Sequence, residues 1–276
     1  MSSILTNTSA MNALSTLRDV NRGLNATQDR VSTGLKVSSG KDNAAYFSIS
    51  ETMKGDSGMF KAINEGMTST KNSVATARLG AETVSDIAQQ MVERIAFAQG
   101  EGVNREDVQL ELDALAENML SAINQSTFNG RDLVKTASQG TVEVVNGIQR
   151  GAAGITATKF SFDTVDLEAI QGAMAGLSVT APATTLDAEL ETAELQLAAA
   201  IGAATKMGIV ENALDSQMQF VESLTDTLDS GVSSMVDADM EEEAARLQAY
   251  QVQQQLATQS LSIANQAPQN ILSLFR

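Results

Sequence analysis

Between Ile49 and Ile95 the chain alternates steps of four and three residues without a slip: Ile49, Met53, Asp56, Phe60, Ile63, Met67, Thr70, Val74, Ala77, Ala81, Val84, Ala88, Met91, Ile95. Only Asp56 and Thr70 interrupt the apolar seam. An apolar repeat of 3.5 residues held this long is the signature of a left-handed coiled coil, because an ordinary helix drifts off that period. At 1.5 Å per residue the helix would run roughly 70 Å. Gly55, Gly58, Gly66 and Gly80 lie along it, each weakening it by about 1 kcal/mol relative to alanine. A helix of this length and weakness needs partners, so a bundle is expected. Only two prolines, Pro182 and Pro268, stand in the chain, which leaves long stretches without a helix breaker.

The same spacing returns in Leu112, Leu115, Met119 and Ala122, after a Gly- and Asn-containing break around Gly100 to Asn104. It returns again in Leu214, Met218, Val221, Leu228, Val232 and Met235, within a helical stretch starting near Leu186. Aromatic residues make up only 4% of the chain, so Ala, Val, Leu and Met must supply the core, as helix packing allows. From Phe128 to about Ala183 the texture changes. β-Branched alternation in Thr141–Gly147 and Ile155–Phe162 predicts strands, with Asn146-Gly147 as a hairpin turn. The expected fold class is mainly α: a long antiparallel helical coiled-coil bundle with a small β-rich subdomain in the middle of the chain.

Composition removes most chemistry. The chain has no Cys, His or Trp, which excludes Cys/His zinc sites, thiol nucleophiles and His-centred acid–base catalysis. With 18 Lys+Arg against 34 Asp+Glu, the net charge is −16, which offers no basic footprint for nucleic acid. The segment Gly34-Leu35-Lys36-Val37-Ser38-Ser39-Gly40-Lys41-Asp42 imitates a phosphate loop. It carries five residues between its glycines, though, and Asp42 where Ser or Thr would hold magnesium. The acids Asp237, Asp239, Glu241, Glu242 and Glu243 lack the central glycine and twelfth-position Glu of a calcium loop. They fit a helix start instead, with Asp239 as cap and Glu242 as its N3 partner. No enzyme, cofactor or metal site is expected. The start of the chain shows neither the basic residues nor the apolar run of a signal peptide, so any export is expected to use another route.

The two ends are the informative part. The first carries Ala10, Leu14, Leu17, Asn21, Leu24, Gln28, Val31 and Leu35 at 3/4 spacing, and the last carries Ala249, Val252, Leu256, Gln259, Ile263, Gln266 and Asn270. Polar seam residues cost stability and fix register, so each end alone is a weak helix whose shortfall intermolecular burial must supply. From Leu247 to Phe275 there is no charged residue, yet eight glutamines occur. A bilayer would leave those amides unpaired, whereas a protein-lined interior satisfies them. No membrane insertion is expected. Candidate subunit-interface and coiled-coil residues are Leu5, Ala10, Leu14, Leu17, Leu24, Val31, Leu35, Val252, Leu256, Ile263, Ile271, Leu272, Leu274 and Phe275.

These ends carry a resemblance. Ser3-Ile4 through Thr6-Asn7, Ser9-Ala10-Met11, Ser32–Lys36, Lys41–Ala45 and Ile49-Ser50-Glu51 follow, in order, the pattern of bacterial flagellins. Asn124–Ser126 with Thr127-Phe128-Asn129-Gly130, then Ala238-Asp239 and the tail Ala264–Arg276, resemble that family further. At Met91 and Glu93 the chain departs from the basic stretch that innate immune receptors recognise in many flagellins.

The resemblance implies a structural subunit of the helical filament used for swimming, secreted through the flagellar export channel to the extracellular filament. It implies termini 1–45 plus 233–276 paired as an inner-tube coiled coil, with a bundle of 46–127 plus 184–232 outside it. Residues 128–183 would form the small β-rich part of that bundle. Implied partners are further copies of the chain, paralogues included, an export chaperone on the C-terminal helix, and the filament cap and hook junction proteins. A junction-type adaptor that stops at a finite ring is the alternative.

Overall fold

The computed structural model describes residues 7–151, 154–180 and 186–274. Among the described residues, six α-helices, a short 3₁₀ turn and two small antiparallel sheets follow one another in the order α1 (Thr8–Thr33), α2 (Ala44–Ala98), α3 (Arg105–Gln125), β1 (Thr127–Phe128), β2 (Arg131–Asp132), β3 (Thr141–Gly151), β4 (Gly154–Asp163), α4 (Leu167–Ala175), α5 (Leu186–Val236), α6 (Met240–Leu274). The 3₁₀ turn Thr136–Ser138 precedes β3. The chain divides into two compact units: residues up to Ser57 together with those from Thr227 onward, and Gly58–Asp226.

In the second unit the predicted seam of α2 is the core. Met67, Val74, Ala77, Ala81, Val84, Ala88, Met91 and Ile95 have no exposed surface. Thr70, one of the two polar interruptions, is buried too and hands its hydroxyl to the carbonyl of Gly66 (3.2 Å), which satisfies a buried donor locally. The α5 stretch within this unit runs antiparallel to α2. Lys71 meets Asp215 (2.5 Å), Arg78 Nε donates to Glu211 (2.8 Å), and Gln99 reaches Asp187 (3.3 Å). Helix α3 also runs antiparallel to α2, with Arg94 paired to Glu111 (3.1 Å) and Gly80 packed against Ser126. Leu112, Met119 and Ile123 from α3 and Met207 and Leu214 from α5 complete the core. The small seam residues of α2 let these helices approach closely, and burial of apolar surface supplies the driving force.

The middle segment contains the expected strands, but its turn lies elsewhere. β3 and β4 pair from Thr141↔Asp163 to Gly151↔Gly154, so Asn146-Gly147 is not the hairpin turn. It marks a β-bulge within β3, where the register shifts between Val145 and Gly147. Gly147 is needed there because a Cβ would come within 2.8 Å of Thr158 Oγ1, so close approach of the partner strand decides the residue. One face of the hairpin buries Val144 and Phe162. The Asn-Gly pair that does turn a hairpin is Asn129-Gly130, between β1 and β2, with φ 49° and 75°, the left-handed pair a two-residue turn requires. Helix α4, capped by Asp166 accepting from the Ala169 amide (2.9 Å), is an element that strand alternation did not foreshadow.

Candidate functional site: the paired terminal helices

In the first unit α1 and α6 lie side by side, antiparallel. Four contacts set their alignment: Asn7 Nδ2 donates to the Ala264 carbonyl (2.8 Å), Gln254 Nε2 donates to Asn21 Oδ1 (2.7 Å), the Tyr250 ring lies over Gly23, and Arg30 pairs with Glu243 (3.2 Å). Both helices start on sequence-encoded caps. Asn7 Oδ1 accepts from the Ala10 amide (3.0 Å), and Asp239 Oδ1 accepts from the amides of Glu241 and Glu242 (3.0 and 3.2 Å). Three glutamates in the first turn of α6 add favourable charge at the positive end of the helix dipole.

Helix α1 stops at Gly34, which takes φ 72° and donates its amide to the Arg30 carbonyl (2.8 Å), as a left-handed cap does. Leu35 therefore lies beyond the helix instead of at the end of its seam. It forms an isolated antiparallel bridge with Asp237, so the two interhelix connections lie against each other. Lys36 N–H reaches the Val236 carbonyl (2.6 Å) and Ala238 N–H the Gly34 carbonyl (2.9 Å). Val37, Val232 and Val236 make a small core beneath, with Leu35, Phe47, Met53 and Met235 packed on it. The false phosphate loop has a structural role here. Asp42 Oδ2 accepts from the amides and hydroxyls of both Ser38 and Ser39 at 3.0–3.1 Å. The backbone amide of Ser38, followed by the Ser38 and Ser39 hydroxyls and the Ser39 amide, holds its carboxyl below the ordinary aspartate value.

The predicted interface residues separate into two groups. Ala10, Leu17, Leu24, Val31 and Leu35 are half-buried, while Leu14 on α1 and Val252, Leu256 and Ile263 on α6 are exposed, the last three by 56%, 63% and 61%. Leu5 and Phe275 lie outside the described residues, as do the side chains of Ile271, Leu272 and Leu274. The face of α6 turned to α1 carries Tyr250, Gln254 and Ala257, a 3/4 track offset from the one the apolar residues suggested. On α1 the most buried positions are Val20 and Thr27. Sequence reasoning missed these positions because α6 carries apolar residues on two tracks: Val252, Leu256 and Ile263 look like a core seam until Leu247, Tyr250, Gln254 and Leu261 are seen turned to α1. Among the described residues no group of His, Cys, Asp or Glu is arranged to hold a metal. No described helix is long and apolar enough to cross a membrane.

Comparison with known proteins agrees with a chain whose two helical ends are its defining parts. A family model described as the bacterial flagellin N-terminal helical region matches residues 4–139, and one described as the bacterial flagellin C-terminal helical region matches residues 190–275. A flagellin of Brucella melitensis is 34% identical over 282 aligned residues, covering 100% of both chains. Flagellin C of Rhizobium meliloti is 32% identical, again over 100% of both. Flagellin FljM of Caulobacter vibrioides is 30% identical over 100% of this chain and 99% of its own. The class is thus a structural, self-polymerising protein. More specifically, the chain belongs to the bacterial flagellins. It is a subunit of the helical flagellar filament, a structure that flagellins form outside the cell.

Proposed function

We propose that this subunit polymerises through the apolar row that α6 leaves uncovered, with Met11 and Leu14 of α1 contributing beside it. The observation that carries this reading is the exposure of Val252, Leu256 and Ile263 (56%, 63% and 61%) on a helix whose other face already holds α1. A helix that carries no charge beyond Arg246 and exposes large aliphatic residues gains stability when further copies cover it. The predicted residues Leu5, Ile271, Leu272, Leu274 and Phe275 would take part in the subunit interface as well. Ala10, Leu17, Leu24 and Val31 would serve the pairing of α1 with α6, and Leu35 the joint beneath it. Segments 1–45 plus 233–276 would line the tube, and 46–127 plus 184–232, with 128–183, the shell outside it.

The polar pairing of α1 with α6 supports assembly coupled to ordering of the ends. Secretion through the flagellar export channel, a chaperone on α6, and contacts with filament cap and hook junction proteins complete the proposal. No catalytic step is assigned to the chain. Scaled by their exposure, covering Leu256 and Ile263 is worth about 2–4 kcal/mol per subunit, roughly thirtyfold or more in the elongation constant. Seeded growth, read by sedimentation and negative-stain electron microscopy, should give long hollow filaments from the natural chain. The double variant L256S/I263S should leave seeds unextended. Equal growth of both would refute the assigned surface, and a natural chain that stops at rings would favour the adaptor.

A further inference from the structure

Glu243 is the one acidic residue of the helix pair that is buried, at 4% exposure, and it is poorly placed to stabilise anything. Its Oε1 takes both Arg30 Nη1 (3.2 Å) and Arg246 Nη1 (2.9 Å), while its Oε2 is buried without a hydrogen-bond partner. A buried carboxylate satisfied on one oxygen only contributes little net stability, because desolvation offsets the attraction. The apolar pattern around it leaves a second problem unsolved. On α1, Leu17, Leu24 and Val31 recur every seven residues. On α6 so do Tyr250, Ala257 and Ala264, and likewise Leu247, Gln254 and Leu261. Sliding one helix by a heptad therefore lays equivalent positions over one another, and it would replace Gln254 opposite Asn21 by Leu247 or Leu261. Apolar burial alone does not select the observed register.

We propose that Glu243, through Arg30, is a positioning residue that, together with the backbone bridge at Leu35 and Asp237, holds the register of the terminal helix pair, and with it the level along α1 at which the exposed row of α6 is offered to neighbours. A one-heptad slip takes Arg30 away from Glu243 and leaves a buried carboxylate without its partner on α1, a penalty added to the loss of the Lys36–Val236 and Ala238–Gly34 backbone hydrogen bonds at the same end of the pair. Register selection by a single polar group at a helix seam is the best-attested use of such a residue. The inference rests on the α1–α6 pairing and does not depend on which face of α6 meets other copies.

Because the chain has no cysteine, introduced pairs report register cleanly. The pair N21C/Q254C reads the observed register and removes the neutral Asn21–Gln254 bond. N21C/L247C and N21C/L261C read slips of one heptad in either direction. Each pair is placed in the full chain with and without R30M/E243L, which replaces the ion pair by apolar side chains and leaves no unpaired charge. Disulfide patterns are read in seeded, pelleted polymer. For a variant that leaves no polymer, they are read in the soluble chain against soluble parent treated alike. The expected result is a several-fold rise in slipped disulfides in R30M/E243L, with helix content retained by circular dichroism. A disulfide distribution unchanged from the parent, in whichever fraction is read, overturns the proposal and reduces the pair to local packing.

Discussion

Two glycines of the same helix should respond in opposite directions to the same substitution. Gly66 is exposed, and a Cβ built there meets nothing within 4 Å. Gly66→Ala therefore gains only helix propensity, about 1 kcal/mol. Gly80 is buried against the end of α3. A Cβ there would fall 2.6 Å from Ser126 Cβ and closer still to Ser126 Oγ, a separation real Cβ atoms do not tolerate. Ser126 cannot yield freely, since its hydroxyl donates to the Ala122 carbonyl (2.7 Å) and its amide to Ile123 (3.1 Å) at the C-cap of α3. Overpacking costs about 1–3 kcal/mol and a disturbed hydrogen bond about 1 kcal/mol. Against a propensity gain of about 1 kcal/mol, Gly80→Ala should lose about 1–3 kcal/mol. Urea unfolding of the full-length monomer, followed by circular dichroism at unchanged m-value, measures both. The midpoint should rise for Gly66→Ala and fall for Gly80→Ala, and G80A/S126G, which removes the obstructing side chain, should recover most of the loss. A midpoint raised by both alanines, or no recovery in the double variant, would refute the described packing of α2 on α3.

Other expectations follow from single sites. The folded-state pKa of Asp42 is depressed, so its contribution to the α1–α2 connection is fully present above the unfolded value of about 3.9 and is lost as pH falls through the folded value. Hydrogen exchange at the Ser38 and Ser39 amides should accelerate on that descent, and Asp42→Ala should show the fast exchange at neutral pH. Leu214 has no exposed surface, and Leu214→Ala should cost about 2–5 kcal/mol in denaturant unfolding. Leu195, 63% exposed on the same helix, should change stability by no more than about 0.5 kcal/mol when made alanine.

The long seam of α2 was legible because a strict 3.5 period has a single structural meaning, and Phe60 through Ile95 are buried or nearly so along it. The cap Asp239 was legible for the same reason, since it has one physical task at a helix start, whereas Gly34, read within a seam that ran on to Leu35, ends α1 instead. Two kinds of feature were not legible. Asn146-Gly147 has the chemistry of a turn, yet the hairpin continues past it, because Gly147 admits the Thr158 hydroxyl of the partner strand. Local propensity carries no information about that neighbour. On α6 two tracks, each with large apolar residues, compete. The structure gives α1 the track of Leu247, Tyr250, Gln254, Ala257 and Leu261, so Val252, Leu256 and Ile263 became the exposed row. Glu243 was read only as part of a helix start. Its burial against Arg30 depends on a residue 213 positions away, which no spacing within α6 reveals.

The central claim is that the exposed row of α6 becomes covered when copies assemble. Single cysteines placed at Val252, Leu256 or Ile263 in this cysteine-free chain can be labelled with a maleimide before and after seeded polymerisation. Fast labelling of the monomer and strong protection in the filament at all three positions is the predicted result. Equal labelling rates in monomer and filament would contradict it and move the polymerisation surface away from α6.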